Sequence, residues 1–94
     1  MSEDVQTTRD DERSRYEGRI DGQVVTVLDF VRQGDVLTLT HPGTEPAFRG
    51  RGLASTVTGA ALDDVRSRGE KVRPSCPFAV DFLDAHPEYA DLRV

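Results

Sequence analysis

The chain has 94 residues, a mass of 10.4 kDa and a formal net charge of -5 at neutral pH, which suits one small domain with one modest core. An acidic balance of this kind argues against general nucleic-acid binding, which needs a basic face. No run approaches the roughly 20 apolar residues of a membrane-spanning helix, and the N-terminus lacks the apolar stretch of a secretory signal, so a cytoplasmic monomer is expected. The single cysteine, Cys76, excludes an internal disulfide, and His41 and His86 lie too far apart to form a local metal motif, so no metal is expected. A binding domain or a compact enzyme remains.

Residues 1–13 are polar and without period, five acids against two arginines, and are expected to be a disordered leader whose removal leaves stability unchanged. The domain then runs over 14–94. Arg15–Ile20 is strand-like, and Asp21-Gly22 is a hairpin signal because both residues tolerate positive φ. Gln23–Val31 is rich in β-branched residues, with apolar side chains on both faces, which predicts a central strand. Gln33-Gly34-Asp35 turns into a third strand, Val36–His41, and completes an antiparallel meander.

Pro42-Gly43-Thr44-Glu45-Pro46 reads as a loop or an irregular strand end, because two prolines interrupt a ladder. A helix is predicted from about Gly50 to Arg68. Leu53, Val57, Ala61 and Val65 recur on one face, Asp63, Asp64, Arg66 and Arg68 lie on the solvent side, and Gly69 supplies the C-cap. Arg66 and Arg68 complement the helix dipole and need no further role. Glu70–Arg73 is a short fourth strand, parallel to the third through a right-handed crossover. Pro74-Ser75-Cys76-Pro77 turns into a short helix over Phe78–Ala85.

The segment Arg49-Gly50-Arg51-Gly52-Leu53-Ala54 follows a strand and opens the long helix. The first amides of a helix lack internal partners and carry the positive end of the dipole. Glycines there let an anion approach, and two arginines add charge, so a phosphate site is one outcome. A packing turn with solvated arginines is the other. The segment is neither a P-loop nor a dinucleotide fingerprint, because it lacks Gly-Lys-Ser/Thr and an opening βαβ unit.

Arg49-x-x-Gly52-x-Ala54 between a strand and a helix resembles the acetyl-CoA loop of the GNAT N-acetyltransferase superfamily. Thr40-His41, Glu45–Gly52, Val72–Phe78 with its Cys-Pro-Phe, and His86-Pro87-Glu88-Tyr89 follow in the order seen in a minimal single-domain GNAT-like family. The resemblance covers residues 15–92. Pro42-Gly43-Thr44 departs from it, standing where the family has Thr-Glu-Val in the stretch that pairs with the pantetheine arm.

The resemblance implies an α/β (α+β) fold. Its mixed sheet is an antiparallel meander followed by a βαβ-type crossover through the loop helix, then a short C-terminal helix. It implies splayed central strands with acetyl-CoA between them. Arg49, Gly50, Arg51, Gly52, Leu53 and Ala54 would form the cofactor loop, the diphosphate resting on the amides of Arg51–Ala54. The family lacks the first two helices of larger GNAT enzymes, which implies an open acceptor side. Cys76, before a helix N-terminus that favours thiolate, is implied as an acetyl-accepting or neighbouring thiol; a small buried side chain is the alternative.

His41 is a candidate general base or a strand-end histidine. Glu45 either accepts a proton from an ammonium or faces solvent. His86 is expected to bond the last helix carbonyls and Tyr89 to cap the core. The function implied is acetyl-CoA-dependent N-acetylation of an unidentified amine, without nucleic acid or membrane. A non-catalytic CoA- or acyl-CoA-binding module is the alternative, and an interaction domain with a structural glycine loop is a third.

Overall fold

The computed structural model describes residues 4–94. Five strands form one sheet in the order β1-β2-β3-β4-β5. They are β1 (Gln6–Asp10), β2 (Arg15–Ile20), β3 (Gln23–Gln33), β4 (Val36–Thr44) and β5 (Lys71–Pro74). The first four are antiparallel neighbours, and β5 runs parallel to β4 after the crossover helix α1 (Leu53–Ser67). Helix α2 (Pro77–Ala85) and a 3-10 segment over Pro87–Leu92 complete the chain. No helix among the described residues is long and apolar enough to cross a membrane.

The register puts Tyr16 opposite Leu28, Phe30 opposite Leu39 and Leu37 beside Val72, so all six point to one face. There they meet Val57, Ala61, Leu62 and Val65 of α1, and Ala79, Phe82 and Leu83 of α2, in one buried cluster. Each large side chain withdrawn in this way contributes roughly 1.5–3 kcal/mol of transfer free energy. The expected four-residue spacing on α1 is therefore the core stripe. Asp21 and Gly22 take φ of 51° and 81°, the two-residue hairpin their sequence predicts.

Two expectations are corrected here. Of the leader assigned to residues 1–13, Met1–Glu3 lie outside the described residues, but Gln6–Asp10 pairs along β2 as an edge strand. Polarity concealed it: the side chain of Arg9 is only 2% exposed and bonds Glu70 through both terminal nitrogens, at 2.7 and 3.2 Å. The strand is held by a charge pair rather than by an apolar stripe. Strand β3 is central, as expected; the helices lie on one face of it, and Val31 on the other, uncovered face is 51% exposed. The other correction is that α1 begins at Leu53 rather than about Gly50, because Gly52 is left-handed at φ 73°.

Smaller adjustments concern charges. Asp64 accepts the Tyr16 hydroxyl at 2.7 Å as well as Arg68 at 2.8 Å. Arg66, beyond complementing the dipole, makes two bonds to Asp91 and one to the Glu88 carbonyl. On the uncovered face Glu17 is buried between Arg15 and Arg19, which donate to it at 2.6 and 2.9 Å from their terminal nitrogens. The Arg15 bond, ahead of that from Arg19, holds the Glu17 carboxyl below its ordinary range against the opposing effect of burial. An acid whose folded pKa is depressed contributes stability that is complete above its unfolded value of about 4.3 and lost as pH falls through the folded value. Glu17→Gln is therefore expected to flatten stability between about pH 5 and pH 3; urea titrations at several pH values check this, and an unchanged acid limb would refute it.

Candidate functional site

Strand β5 accompanies β4 only as far as Leu39, which pairs with Pro74. The Ser75 N–H donates to the Leu39 carbonyl at 2.9 Å, and the chain then turns away into α2. Strand β4 continues through Thr40–Thr44, paired with β3 alone. The two parallel strands therefore separate, and one edge of β4 faces an opening.

Pro42 lies within this stretch, so the loop expected over 42–46 is strand as far as Thr44. The ladder tolerates it for a geometric reason. The Glu45 N–H donates to the Val25 carbonyl at 2.8 Å. Bonded positions recur every second residue, which assigns Gly43 and His41 to β3 and turns the backbones of Pro42 and Thr44 toward the opening. The missing N–H thus costs the β3 ladder nothing. At the opening it leaves the Pro42 carbonyl alone, with both Thr44 groups beyond it. The Thr44 carbonyl already accepts Arg49 Nε at 3.3 Å, which holds that guanidinium at the end of the edge.

A short 3-10 turn over Pro46–Phe48 leads to the glycine loop. Gly50 and Gly52 have φ of 80° and 73°, and a Cβ built at either meets nothing within 4 Å. Their outward sides are open, as close approach of a diphosphate requires. No acid occupies the first turn of α1, and no side chain caps it. The Gly52 carbonyl accepts both the N–H and the hydroxyl of Thr56 at 3.1 Å, which closes the first turn. The amides of Leu53, Ala54 and Ser55 stand before any intrahelical acceptor. Leu53 anchors the turn through its buried side chain. Arg51 lies over the Phe48 ring at 5.0 Å. The residues present thus fit a diphosphate. The later start of the helix adds the Ser55 amide to those read from the sequence, a signal concealed because the boundary depends on the sign of one φ.

Cys76 is the N-cap of α2, and its Sγ accepts the Ala79 N–H at 3.4 Å. It packs partly buried against the core cluster, one residue beyond the bond that ends β5. His41 is exposed and lies on the other face of β4, opposite Asp29. The two candidate catalytic residues therefore flank the opening from opposite faces of the sheet instead of forming a contacting pair. Glu45 is exposed at the end of β4. His86 Nδ1 lies 2.7 Å from the Phe82 carbonyl and its ring stacks on Phe82 at 3.9 Å, so it closes α2 as the sequence suggests. The Tyr89 hydroxyl donates to Asp63 at 2.9 Å. Among the described residues, no group of three His, Cys, Asp or Glu is placed to hold a metal ion.

Residues 15–92 match the model of a family described as GCN5-related N-acetyl-transferase. No curated protein matches the chain in sequence. Among solved structures, that of a GCN5-like protein from Staphylococcus aureus superposes with a TM-score of 0.69 at 15% identity, over 97% of this chain and 87% of that one. The ribosomal-protein-S18-alanine N-acetyltransferase of Escherichia coli gives 0.61 at 17% identity, over 76% of this chain and 49% of that one. The ribosomal-protein-alanine N-acetyltransferase of Brucella melitensis biovar Abortus gives 0.56 at 17%, over 85% and 60%. The chain thus spans about half to three fifths of the latter two, and at these identities the likeness is one of fold.

Proposed function

Because this chain belongs to the GCN5-related N-acetyl-transferase family, we propose that it transfers the acetyl group of acetyl-CoA to an amine, with the cofactor in the opening between β4 and β5. The observation that carries this reading is the coincidence of a strand edge left unpaired at Thr40–Thr44 with an uncapped helix start immediately beyond it. The diphosphate rests on the amides of Leu53, Ala54 and Ser55 behind Gly50 and Gly52, with Arg49 and Arg51 beside it. The pantetheine arm lies along β4 and meets the Pro42 carbonyl and the Thr44 N–H. Its thioester end comes toward Cys76.

Direct transfer needs a neutral amine. Its nitrogen bonds to the acetyl carbon, the carbon–sulfur bond breaks, and the proton lost by nitrogen balances the thiol of free CoA. His41, on the uncovered face, is the nearest candidate to relay that proton. In the covalent route the Cys76 sulfur bonds to the acetyl carbon and CoA leaves as its thiol; the amine then attacks that carbon and the Cys76 thiol leaves, restored by the proton the nitrogen loses. The uncovered face of the sheet favours a second reading, a CoA- or acyl-CoA-binding module without turnover, because no helix walls in an acceptor there.

Mixing the protein with acetyl-CoA and following intact mass separates these. An adduct of about 42 daltons on Cys76 that discharges to added amine at the turnover rate is expected of the covalent route. Acetylated amine without adduct supports direct transfer, and CoA binding without either product supports the binding module. Cys76→Ala is expected to retain CoA binding, because the diphosphate contacts lie on the other loop, and to lose about 1 kcal/mol of stability with its cap. Absence of CoA binding by the unaltered protein, measured by calorimetry, would overturn the proposal.

A further inference from the structure

The uncovered face of the sheet carries a hollow of about 430 Å³ beside the end of β4. Val24, Val25, Val27 and Pro46 supply its apolar lining, Thr26 and Thr44 add hydroxyls, and Gly43 contributes no side chain. Cross-strand register explains its place. Glu17, Val27 and Gly43 form one row across β2, β3 and β4, and Arg15, Asp29 and His41 form the row beyond. A Cβ on Gly43 would lie 3.5 Å from Val27 Cγ2 and 3.8 Å from His41 Nε2. The imidazole therefore stands next to the missing side chain, in the row adjoining the hollow. Gly43 also stands on the strand whose other edge faces the opening.

Charge selects the occupant. The cation on the lining, Arg15, is committed to Glu17 through Nε and a terminal nitrogen. One carboxylate, Glu45, lies on the lining, and a second, Asp29, stands opposite His41 in the row just beyond it. Neither makes an ion pair among the described residues. Their rows are four residues apart on β4, about 13 Å at the usual strand rise. A straight five-carbon diamine spans about 7 Å between its nitrogens, and two N···O contacts of about 2.8 Å bring the total to the same length.

We propose that this hollow is the acceptor site and that it takes an aliphatic primary diamine. One nitrogen lies between Asp29 and His41 beside the opening, the methylenes cover the valines, and the second ammonium meets Glu45. The proposal rests on the acetyltransferase reading above and names its acceptor class. It gives His41 a neighbour whose proton it can take, and it gives the departure at Pro42-Gly43-Thr44 a use, because a larger residue at position 43 would fill the hollow.

The test titrates 1,5-diaminopentane into the ¹⁵N-labelled full chain and follows amide shifts. Saturable shifts at Val25, Val27 and Gly43 are expected, with n-pentylamine binding at least threefold more weakly and pentanoate not at all. Glu45→Gln, an exposed substitution, should reduce the diamine to the affinity of n-pentylamine. Gly43→Val should abolish the shifts, since the added Cβ meets only ordinary contacts in the folded chain. Calorimetry with CoA on the same proteins should show affinities within twofold of the unaltered chain. If CoA binds and the diamine leaves these three amides unmoved, or if Glu45→Gln changes nothing, the acceptor assignment is wrong while the cofactor reading stands. If the diamine shifts them and CoA does not bind, the hollow binds amines but is no acceptor site, and the acetyltransferase reading fails instead.

Discussion

Glu70→Ala is expected to destabilise the protein by about 1.5–3 kcal/mol, because the Arg9 guanidinium loses both bonds to a buried carboxylate and keeps the more exposed Asp11, at 2.8 Å, as its ion-pair partner. The Arg9 side chain is 2% exposed and that of Glu70 6%. The guanidinium lies 5.3 Å from the Phe30 ring centroid and 5.8 Å from that of Tyr16. The Glu70 bond raises the already high pKa of Arg9, more than burial lowers it. Without Glu70 the cation cannot escape its cost by losing a proton. In a domain of this size such a loss corresponds to a fall in melting temperature of about 6 °C or more.

Two companions distinguish charge from packing. Truncation through Asp10 removes β1 with Arg9 and leaves Glu70 facing Arg32 at 3.6 Å, so it is also expected to lower the melting temperature well beyond 2 °C. Arg9→Met combined with Glu70→Met removes both charges and should recover most of the stability, because apolar replacement of a buried pair is often neutral. Urea denaturation measures all three. A loss under about 1 kcal/mol in Glu70→Ala would show that the pair is hydrated and that β1 is held by its ladder alone.

Gly52→Val is expected to lower CoA affinity more than tenfold, at least about 1.4 kcal/mol. The branched side chain enters space that is open in this structure, at the place assigned to the diphosphate. It also strains the backbone, since φ at this position is 73° and a left-handed conformation costs an L-residue roughly 1–2 kcal/mol. Gly22→Val isolates that cost. Gly22 has φ of 81°, a Cβ there also meets nothing within 4 Å, and it belongs to the β2–β3 hairpin and not to the glycine loop. Both variants should lose similar stability, and only Gly52→Val should lose CoA. Equal calorimetric affinities in the two, measured on folded protein, would remove the diphosphate from this loop.

Local chemistry was sufficient for much of the architecture. Asp21-Gly22 dictates a hairpin because few residue pairs accept two successive positive φ values. The recurrence of Leu53, Val57, Ala61 and Val65 can be satisfied only by a helix lying on a sheet, and Pro77 behind Cys76 can only begin one. The glycine loop before α1 was legible for the same reason, since its chemistry depends on the first amides of a helix and on what flanks them.

What the sequence by itself determined is therefore the set of features that a few neighbouring residues settle: the meander, the crossover helix, the loop at its start and the thiol before α2. Tertiary structure decided the rest, because it depended on partners distant along the chain. Gln6–Asp10 is a strand because Arg9 finds Glu70 sixty-one residues later. Pro42 lies inside β4 because β5 ends at Pro74, so the missing amide faces an opening rather than a neighbour. His41 and Cys76, both read as candidates at the site, fall on opposite faces because a bulge at Thr40, between the pairs Asp29–His41 and Phe30–Leu39, reverses the alternation after core-facing Leu39 and turns His41 away from the helices, while Cys76 caps a helix packed against them. A one-dimensional pattern records which residues are present and at what spacing; which side of a sheet they occupy, and what they meet there, is settled only when the strands pair.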